Sequence, residues 1–290
     1  MATLKQIRRR IRAIQSTQQI TKAMEMVAAA KLKRAQDRVV ASRPYAAEIQ
    51  KILESLAQAA QSLSHPLFEQ RPVERRTLVV IASDKGLCGS FNMNLFRLAE
   101  REFGREAGGG PGSTRILLVP VGRRSTHYFT KRGWNTPWRL PELGDQADPA
   151  RARALANELV RSFLAHETDQ VELAYTQFIS TMSRKVVRAQ LLPITAKQEA
   201  ATQHRLDYIF EPSPEKIFGA LLPKYTENRI LQAMAESIAS EHSARMISMG
   251  AATKNAEEVI DSLTLVLNRL RQAAITREIS EIVGGADALK

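Results

Sequence analysis

The chain has 290 residues, a formal net charge of +12 and 44% hydrophobic residues, a composition that favours a folded protein over a disordered one. No stretch reaches 18 consecutive apolar residues, so we predict no membrane-spanning helix. The first 15 residues lack the apolar core of a secretory signal, and we expect a chain without a leader. Because Cys88 is the only cysteine, an intramolecular disulfide is excluded and a reducing, cytoplasmic location is expected.

The positive charge is concentrated at one end of the chain. Residues 1–43 carry eleven Lys or Arg against two acidic residues, a net charge of +9, whereas residues 224–290 have a net charge of −1. Consecutive helical residues lie about 100° apart, so the cations surround the helix, whereas a nucleic-acid-binding helix collects them on one face. No aromatic residue that could stack on a base precedes Tyr45. We therefore expect an acidic partner surrounding this segment. The alternatives are a coiled-coil surface that is simply solvated and a nucleic-acid-binding coiled coil.

The N-terminal segment predicts a long helix. It has no glycine or proline before Pro44, and its apolar residues recur in steps of three and four, as at Ile7, Ile11 and Ile14. A helix of 42 residues would be about 63 Å long. Pro44 marks a possible kink, after which the helical composition continues to about Leu63.

The C-terminal segment predicts a second long helix. After Pro223 there is no further proline, and Gly250 is the only glycine before Gly284 and Gly285, which predict the end of the helix. Both helices exceed the usual length of about 10–14 residues. We expect them to pair as an antiparallel coiled coil that projects from a smaller domain.

Between the helices the hydrophobic pattern changes to that of short strands. Three runs rich in β-branched residues are TLVVIAS (77–83), RILLVPVG (115–122) and VELAYTQFIS (171–180), and amphipathic segments near 92–106 and 150–166 separate them. This alternation predicts a small α/β domain with a mostly parallel sheet. SRKVVRAQLLPI (183–194) adds a strand through a hairpin, and GGGPGS (108–113) predicts a surface loop.

These elements predict three regions: an N-terminal helix over residues 1–63, a central α/β domain over 67–210, and a C-terminal helix over 211–290. SDKGLCGS (83–90) lies where a strand gives way to a helix, a usual place for a phosphate. It lacks the GxxxxGK[ST] and GxGxxG patterns, so we interpret its glycines as serving a tight turn. The five histidines have no metal-ligand spacing. We predict no catalytic, cofactor or metal site; the alternative, an α/β enzyme with helical arms, predicts activity of the purified chain.

Four stretches carry a resemblance to a known family. ITREISEIVGGADA (275–288) resembles the C-terminal signature of the gamma subunits of rotary ATP synthases, with Thr276, Glu278, Glu281, Gly285 and Ala286 at the expected offsets. QITKAMEMVAAAKL (19–32), SDKGLCGSFN (83–92) and ASEHSARMISMGAAT (239–253) are similarly close. The resemblance covers essentially the whole chain. It implies a non-catalytic central rotor shaft, without cofactors, that couples proton flow in the membrane to ATP synthesis or hydrolysis.

The resemblance also implies the partners and their contacts. The coiled coil would enter a ring of three alpha and three beta subunits, and the α/β domain would form a foot on the membrane rotor ring beside the epsilon subunit, in one copy per complex. The length and first Met suggest a bacterial form on the cytoplasmic face of the cell membrane. Contacts with the alpha and beta ring are implied for eight residues: Arg9, Lys22, Met24, Cys88, Arg271, Gln272, Thr276 and Glu278. Contacts of the foot with the rotor ring and epsilon are implied for Phe210 and Glu211. Because the family often has tyrosine at the position of Phe210, a hydrogen bond from that hydroxyl would be missing here.

Overall fold

The computed structural model describes residues 3–59, 65–104, 110–194 and 214–288. Five α-helices, a short 3₁₀ turn at Pro66–Phe68 and four strands occur in these ranges. The helices are α1 (Leu4–Ala59), α2 (Phe91–Gly104), α3 (Arg123–Lys131), α4 (Pro149–Leu164) and α5 (Pro214–Ala288). The strands are β1 (Arg76–Ile81), β2 (Ile116–Val121), β3 (Gln170–Phe178) and β4 (Arg184–Leu192).

The chain divides into two compact units, and each is described by itself. The first unit comprises residues 1–28 and 245–290, and the second comprises residues 29–244. Both long helices contribute residues to each unit. The region limits predicted at 63 and at 210–211 lie outside the described residues, so the three-region division stays a prediction.

The two predicted long helices are confirmed, but the proline and glycine residues that usually interrupt or end a helix do not end these two. Pro44 lies inside α1 and Pro223 lies inside α5. The prediction that Gly284 and Gly285 end the second helix is wrong, because α5 continues to Ala288. Glycine costs a helix only about 1 kcal/mol relative to alanine, so a helix with 70 preceding residues can include two of them.

In the first unit the two helices run antiparallel, as predicted. The Thr253 hydroxyl donates to the Thr21 hydroxyl over 2.8 Å, and a Cβ built on Gly250 would lie 3.4 Å from the Glu25 carboxyl carbon. Residue numbers therefore rise along one helix as they fall along the other. The absence of a side chain at Gly250 leaves room for the Glu25 side chain against the backbone of α5.

The second unit is built on one mixed sheet with the strand order β2-β1-β3-β4. Strand β1 is parallel to β2 and β3, and β4 is antiparallel to β3. Residues Leu78 to Ile81 of β1 are fully buried, as expected for a central strand that is covered on both faces. The predicted mostly parallel α/β domain with a terminal hairpin is therefore confirmed. Of the predicted GGGPGS loop, residues 108–109 lie outside the described ranges, and residues 110–113 include a turn.

A largely buried ion pair fastens the segment that leads into β1. The Arg71 Nε atom lies 2.9 Å from the carboxylate of Asp169, which also accepts the N–H groups of Glu74 and Arg75 over 3.0 and 2.8 Å. Burial opposes ionisation of Asp169, but the N–H groups of Arg75 and Glu74 and the Arg71 charge outweigh it and lower the pKa of Asp169. The carboxylate is therefore ionised at neutral pH and holds the entry to β1 next to the start of β3.

Candidate functional site

One stretch of α5 is buried on every side. All residues from Glu236 to Ala244 are buried, although a helix at a protein surface normally buries a single face. Six of these nine residues are polar. Burying polar side chains costs free energy unless they are hydrogen-bonded, so their partners determine what this stretch does.

Three of these polar residues form a row that contacts the strand ends, here called the serine row (Ser237, Ser240 and Ser243). The hydroxyl of Ser237 donates to the carbonyl of Ile81 over 3.0 Å, and that of Ser240 donates to the carbonyl of Thr176 over 3.0 Å. The Ser243 hydroxyl donates to a carbonyl in the β3–β4 hairpin over 2.5 Å. Residues three apart lie along one helix face, so the row fixes α5 to β1, β3 and the hairpin at three successive points.

The SDKGLCGS turn packs on the same stretch of α5. Cys88 and Phe91 form a buried cluster with Ala244, and the Asn92 amide donates to the hydroxyl of Ser83 over 2.7 Å and to the Cys88 sulfur over 3.4 Å. The resemblance-based partner contact stays a prediction for Cys88. Its side chain is only 2% exposed, because it fills a gap inside this chain.

Exposed residues of the same turn are further candidates for a partner contact. Leu87 is 60% exposed, and Lys85 is exposed. An isolated surface leucine is common, so these two residues locate a candidate position rather than define a site.

The carboxylate of Asp84, in the same turn, is held by backbone N–H groups of this chain. Asp84 accepts the N–H groups of Arg123 and Leu143 over 2.9 and 3.1 Å and that of Gly144 over 2.8 Å. Arg123 is the first residue of α3, so Asp84 satisfies the helix end that would otherwise attract an anion. At Gly122 a Cβ would lie 2.3 Å from the Ala82 carbonyl oxygen, which only glycine permits. These contacts favour the interpretation of a structural turn.

The N-terminal helix of the first unit presents an uncompensated basic surface. Residues 3–28 contain six basic residues and one acidic residue. Arg8, Arg9, Arg10 and Arg12 are exposed, and no salt bridge joins any of them to another described residue. Since like charges this close repel each other, an acidic partner would lower the free energy of this surface.

Lys22 and Met24 differ in how far they are available to a partner. The Lys22 side chain is exposed and pairs with Glu25 over 3.2 Å, whereas Met24 is half-buried. Both remain predicted contacts, although the Lys22 charge is already partly balanced within this chain.

The C-terminal part of α5 is exposed over its whole predicted contact zone. Arg271, Gln272, Thr276 and Glu278 are all exposed, so the structure leaves them accessible without establishing a contact. Exposed apolar side chains lie between and beyond them with helical spacing: Ile275, Ile279, Ile282 and Val283. An exposed apolar stripe of this kind is typical of a surface that binds another protein, and sequence analysis had not singled it out. Phe210 and Glu211 lie outside the described residues.

Across the four described ranges, no group of three or more His, Cys, Asp or Glu side chains could hold a metal ion. No helix in the described part of the chain is both long and apolar enough to cross a membrane.

Two long helices, paired antiparallel in the first unit, and a small α/β domain in the second define the class of this fold. The ATP synthase family matches residues 3–289, and the chain belongs to this family. It is 45% identical over 290 residues to the ATP synthase gamma chain of Desulforamulus reducens, with both chains fully covered. It is 46% identical over 296 residues to that of Heliobacterium modesticaldum, again with full coverage of both.

Solved structures give the same result for the fold. A chain from the structure of the central stalk and c-ring of the Tetrahymena thermophila mitochondrial ATP synthase is 25% identical, with a TM-score of 0.63. That match covers 80% of this chain and 99% of the other. A chain from the rotor of the Euglena gracilis mitochondrial ATP synthase has a TM-score of 0.65 at 17% identity, covering 94% and 98% of the two chains.

Proposed function

We propose that this chain is the central shaft of a proton-translocating ATP synthase. It transmits torque between a membrane rotor ring and a catalytic ring of alpha and beta subunits, and so couples proton flow to ATP synthesis or hydrolysis. The observation that carries this proposal is the match over the full length of both chains to gamma chains at about 45% identity. The chain itself is non-catalytic, and the chemistry occurs in its partners.

Two surfaces of the first unit support this role. The basic residues of α1, including Arg9 and Lys22, would face acidic groups of the beta subunits. The exposed zone of α5 from Arg271 to Glu278 would contact the upper part of the ring. Ordinary hydrogen bonds to charged groups are worth roughly 1.5–3 kcal/mol, enough to make such contacts matter to turnover.

The second unit would serve as the attachment of the shaft to the rest of the rotor. In this proposal Phe210 and Glu211 belong to the contact with the rotor ring and the epsilon subunit. The complex would hold one copy of the chain, on the cytoplasmic face of the cell membrane. The serine row supports the role because a shaft that carries torque needs a helix that cannot slide or turn against its attached domain.

A rotation assay tests the proposal directly. Because Cys88 is buried and is the only native cysteine, a Lys131→Cys variant offers one exposed thiol on the second unit. The variant would be assembled with alpha and beta subunits, immobilised through the ring, and labelled at this thiol with a bead. We expect the bead to rotate in one direction while ATP is hydrolysed.

The matched control and the contrary results separate the alternatives. A bead attached to the ring itself should remain stationary. ATP hydrolysis by the complex without rotation of the bead on Lys131→Cys would contradict the shaft proposal. Turnover by the purified chain alone would favour an enzyme, and salt-sensitive binding to DNA would favour the nucleic-acid alternative.

A further inference from the structure

A pocket of about 290 Å³ lies in the second unit. Its walls come from α1, from residues 145–147 ahead of α4, and from α5, and all of them belong to residues 29–244. Ligand pockets in proteins usually measure about 300–1,000 Å³. The volume therefore suits a small ligand rather than a nucleotide or a large cofactor.

The rim of this pocket carries an excess of positive charge. Arg34 and Arg38 lie one turn apart on α1 and line the pocket. Both are exposed, and neither has a salt bridge to another described residue. Among the described residues of the lining, Asp145 is the one acidic side chain. It lies 2.7 Å from the Lys31 ammonium group, and its hydrogen bond with Lys31 lowers the pKa of Asp145. The negative charge of this carboxylate is thus already balanced by Lys31. The guanidinium groups of Arg34 and Arg38 are left to face an incoming anion.

An apolar row lines part of the pocket, beside the polar residues Asn228 and Gln232. Leu231, Ala235 and Ile238 recur at helical spacing along α5, and Ala35 contributes from α1. Ala35 and Ile238 are buried. The alanines leave space that a larger side chain would fill, so the pocket combines an apolar floor with a cationic rim.

We propose that this pocket binds an amphiphilic carboxylate whose apolar chain lies along α5 and whose carboxylate meets Arg34 and Arg38. Guanidinium groups bind carboxylates through paired, charge-assisted hydrogen bonds. At about 30 Å³ for each water-sized group, the volume holds roughly ten non-hydrogen atoms, which is the size of octanoate. A neutral chain would lose the charged contacts, and a cationic chain would be repelled by the rim. None of its described lining residues is among the partner contacts that the resemblance implies.

Photoaffinity labelling tests this assignment on the full chain. The probe is octanoate with a diazirine at the far end of its chain, and labelled peptides are mapped by mass spectrometry. We expect labelling within residues 228–238, displaced by octanoate, and displaced by octanol or octyltrimethylammonium only at concentrations at least about tenfold higher. The double variant Arg34→Gln, Arg38→Gln should lower labelling about tenfold or more, with the pocket itself intact.

Two further variants separate a built site from general attraction. Ala235→Phe fills the pocket without changing the charge and should abolish labelling, with circular dichroism used to verify that the helices persist. The matched control Arg8→Gln, Arg12→Gln removes the same charge elsewhere on α1 and should leave labelling unchanged. Equal displacement by octanol, labelling that survives Ala235→Phe in a folded chain, or an equal loss in the control would each overturn the proposal. Loss of labelling when the chain is assembled with its partners would assign the pocket to partner side chains and would overturn it as well.

Discussion

The serine row offers the sharpest test of how the second unit holds its helix. The perturbation is the triple substitution Ser237→Ala, Ser240→Ala, Ser243→Ala. All three side chains are 0% exposed, and each hydroxyl donates to a carbonyl outside α5. Removing a hydroxyl leaves a buried acceptor with one partner fewer, and alanine adds no steric clash. The change therefore isolates the hydrogen bonds from the packing.

The magnitude follows from the number and burial of these bonds. A neutral hydrogen bond contributes about 1 kcal/mol net, so three of them contribute about 3 kcal/mol. Alanine favours a helix over serine by a few tenths of a kcal/mol per residue, which offsets part of the loss. We therefore expect the triple variant to reduce the free energy of unfolding of the second unit by about 2 kcal/mol. Neighbouring positions need not add strictly, so the single variants should be measured as well.

The assay uses the two native tryptophans as reporters. Trp134 and Trp138 both belong to the second unit, so the change of their fluorescence with denaturant reports on that unit. Ser262→Ala, at an exposed position of the same helix, is the matched control and should not lower stability. If the triple variant unfolds within about 0.5 kcal/mol of that control, the hydroxyls contribute nothing and the reasoning fails.

Four other outcomes are expected. Because Arg271 and Glu278 are exposed, Arg271→Ala with Glu278→Ala should slow ATP turnover of the assembled complex without changing the helix content of the isolated chain; a loss of helix by circular dichroism would contradict this. Ala29→Pro costs a helix about 3 kcal/mol and Ala29→Gly about 1 kcal/mol. Proton pumping per ATP hydrolysed in vesicles should therefore fall sharply for the proline variant and slightly for the glycine variant. An unchanged ratio for the proline variant would refute the idea that stiffness of α1 transmits torque. Asp169→Asn should lower the free energy of unfolding by about 3 kcal/mol at pH 7. Because the native pKa of Asp169 is lowered, the wild type keeps this stability advantage above the unfolded pKa of about 3.9 and loses it as pH falls through the native pKa. A stability advantage that persisted below the native pKa would contradict the assignment. Since Cys88 is buried and is the only cysteine, dithiothreitol should leave ATPase activity unchanged, and a several-fold activation traced to this thiol would refute that expectation.

Local periodicity predicted most of the fold. The β-branched runs gave all four strands to within about two residues, because a buried strand is a short apolar run with a recognisable composition. Helix α3 was missed, since RRSTHYFTK places only Tyr128 and Phe129 among polar residues and shows no apolar repeat. The end of α5 was misplaced because Gly284 and Gly285 are ordinary stop signals that a long helix can nevertheless absorb.

The contacts that hold the second unit together could not be predicted in the same way. The Ser237 hydroxyl meets a carbonyl 156 positions away in sequence, and Asp84 accepts N–H groups 39 to 60 positions away. Such pairs depend on the tertiary fold, whereas sequence periodicity reports only on neighbours within one element. For Cys88 the resemblance implied a partner, but only the packing on Phe91 and Ala244 reveals that the thiol is buried.

Hydroxyl groups along α5 resist a motion that apolar side chains alone do not resist, namely sliding and rotation of the helix on the sheet. Apolar packing opposes separation of a helix from a sheet, but it has no preferred direction. Hydrogen bonds weaken steeply with misalignment, and a shift of one residue would move each donor of the serine row by about 1.5 Å along the axis and about 100° around it. All three bonds would then break together. The serine row therefore fixes the axial and rotational register of α5 on the sheet, which is the property that a torque-bearing helix requires. The triple alanine variant should accordingly pump fewer protons per ATP hydrolysed in the assembled complex. We expect this reduction even though the variant loses only about 2 kcal/mol of stability.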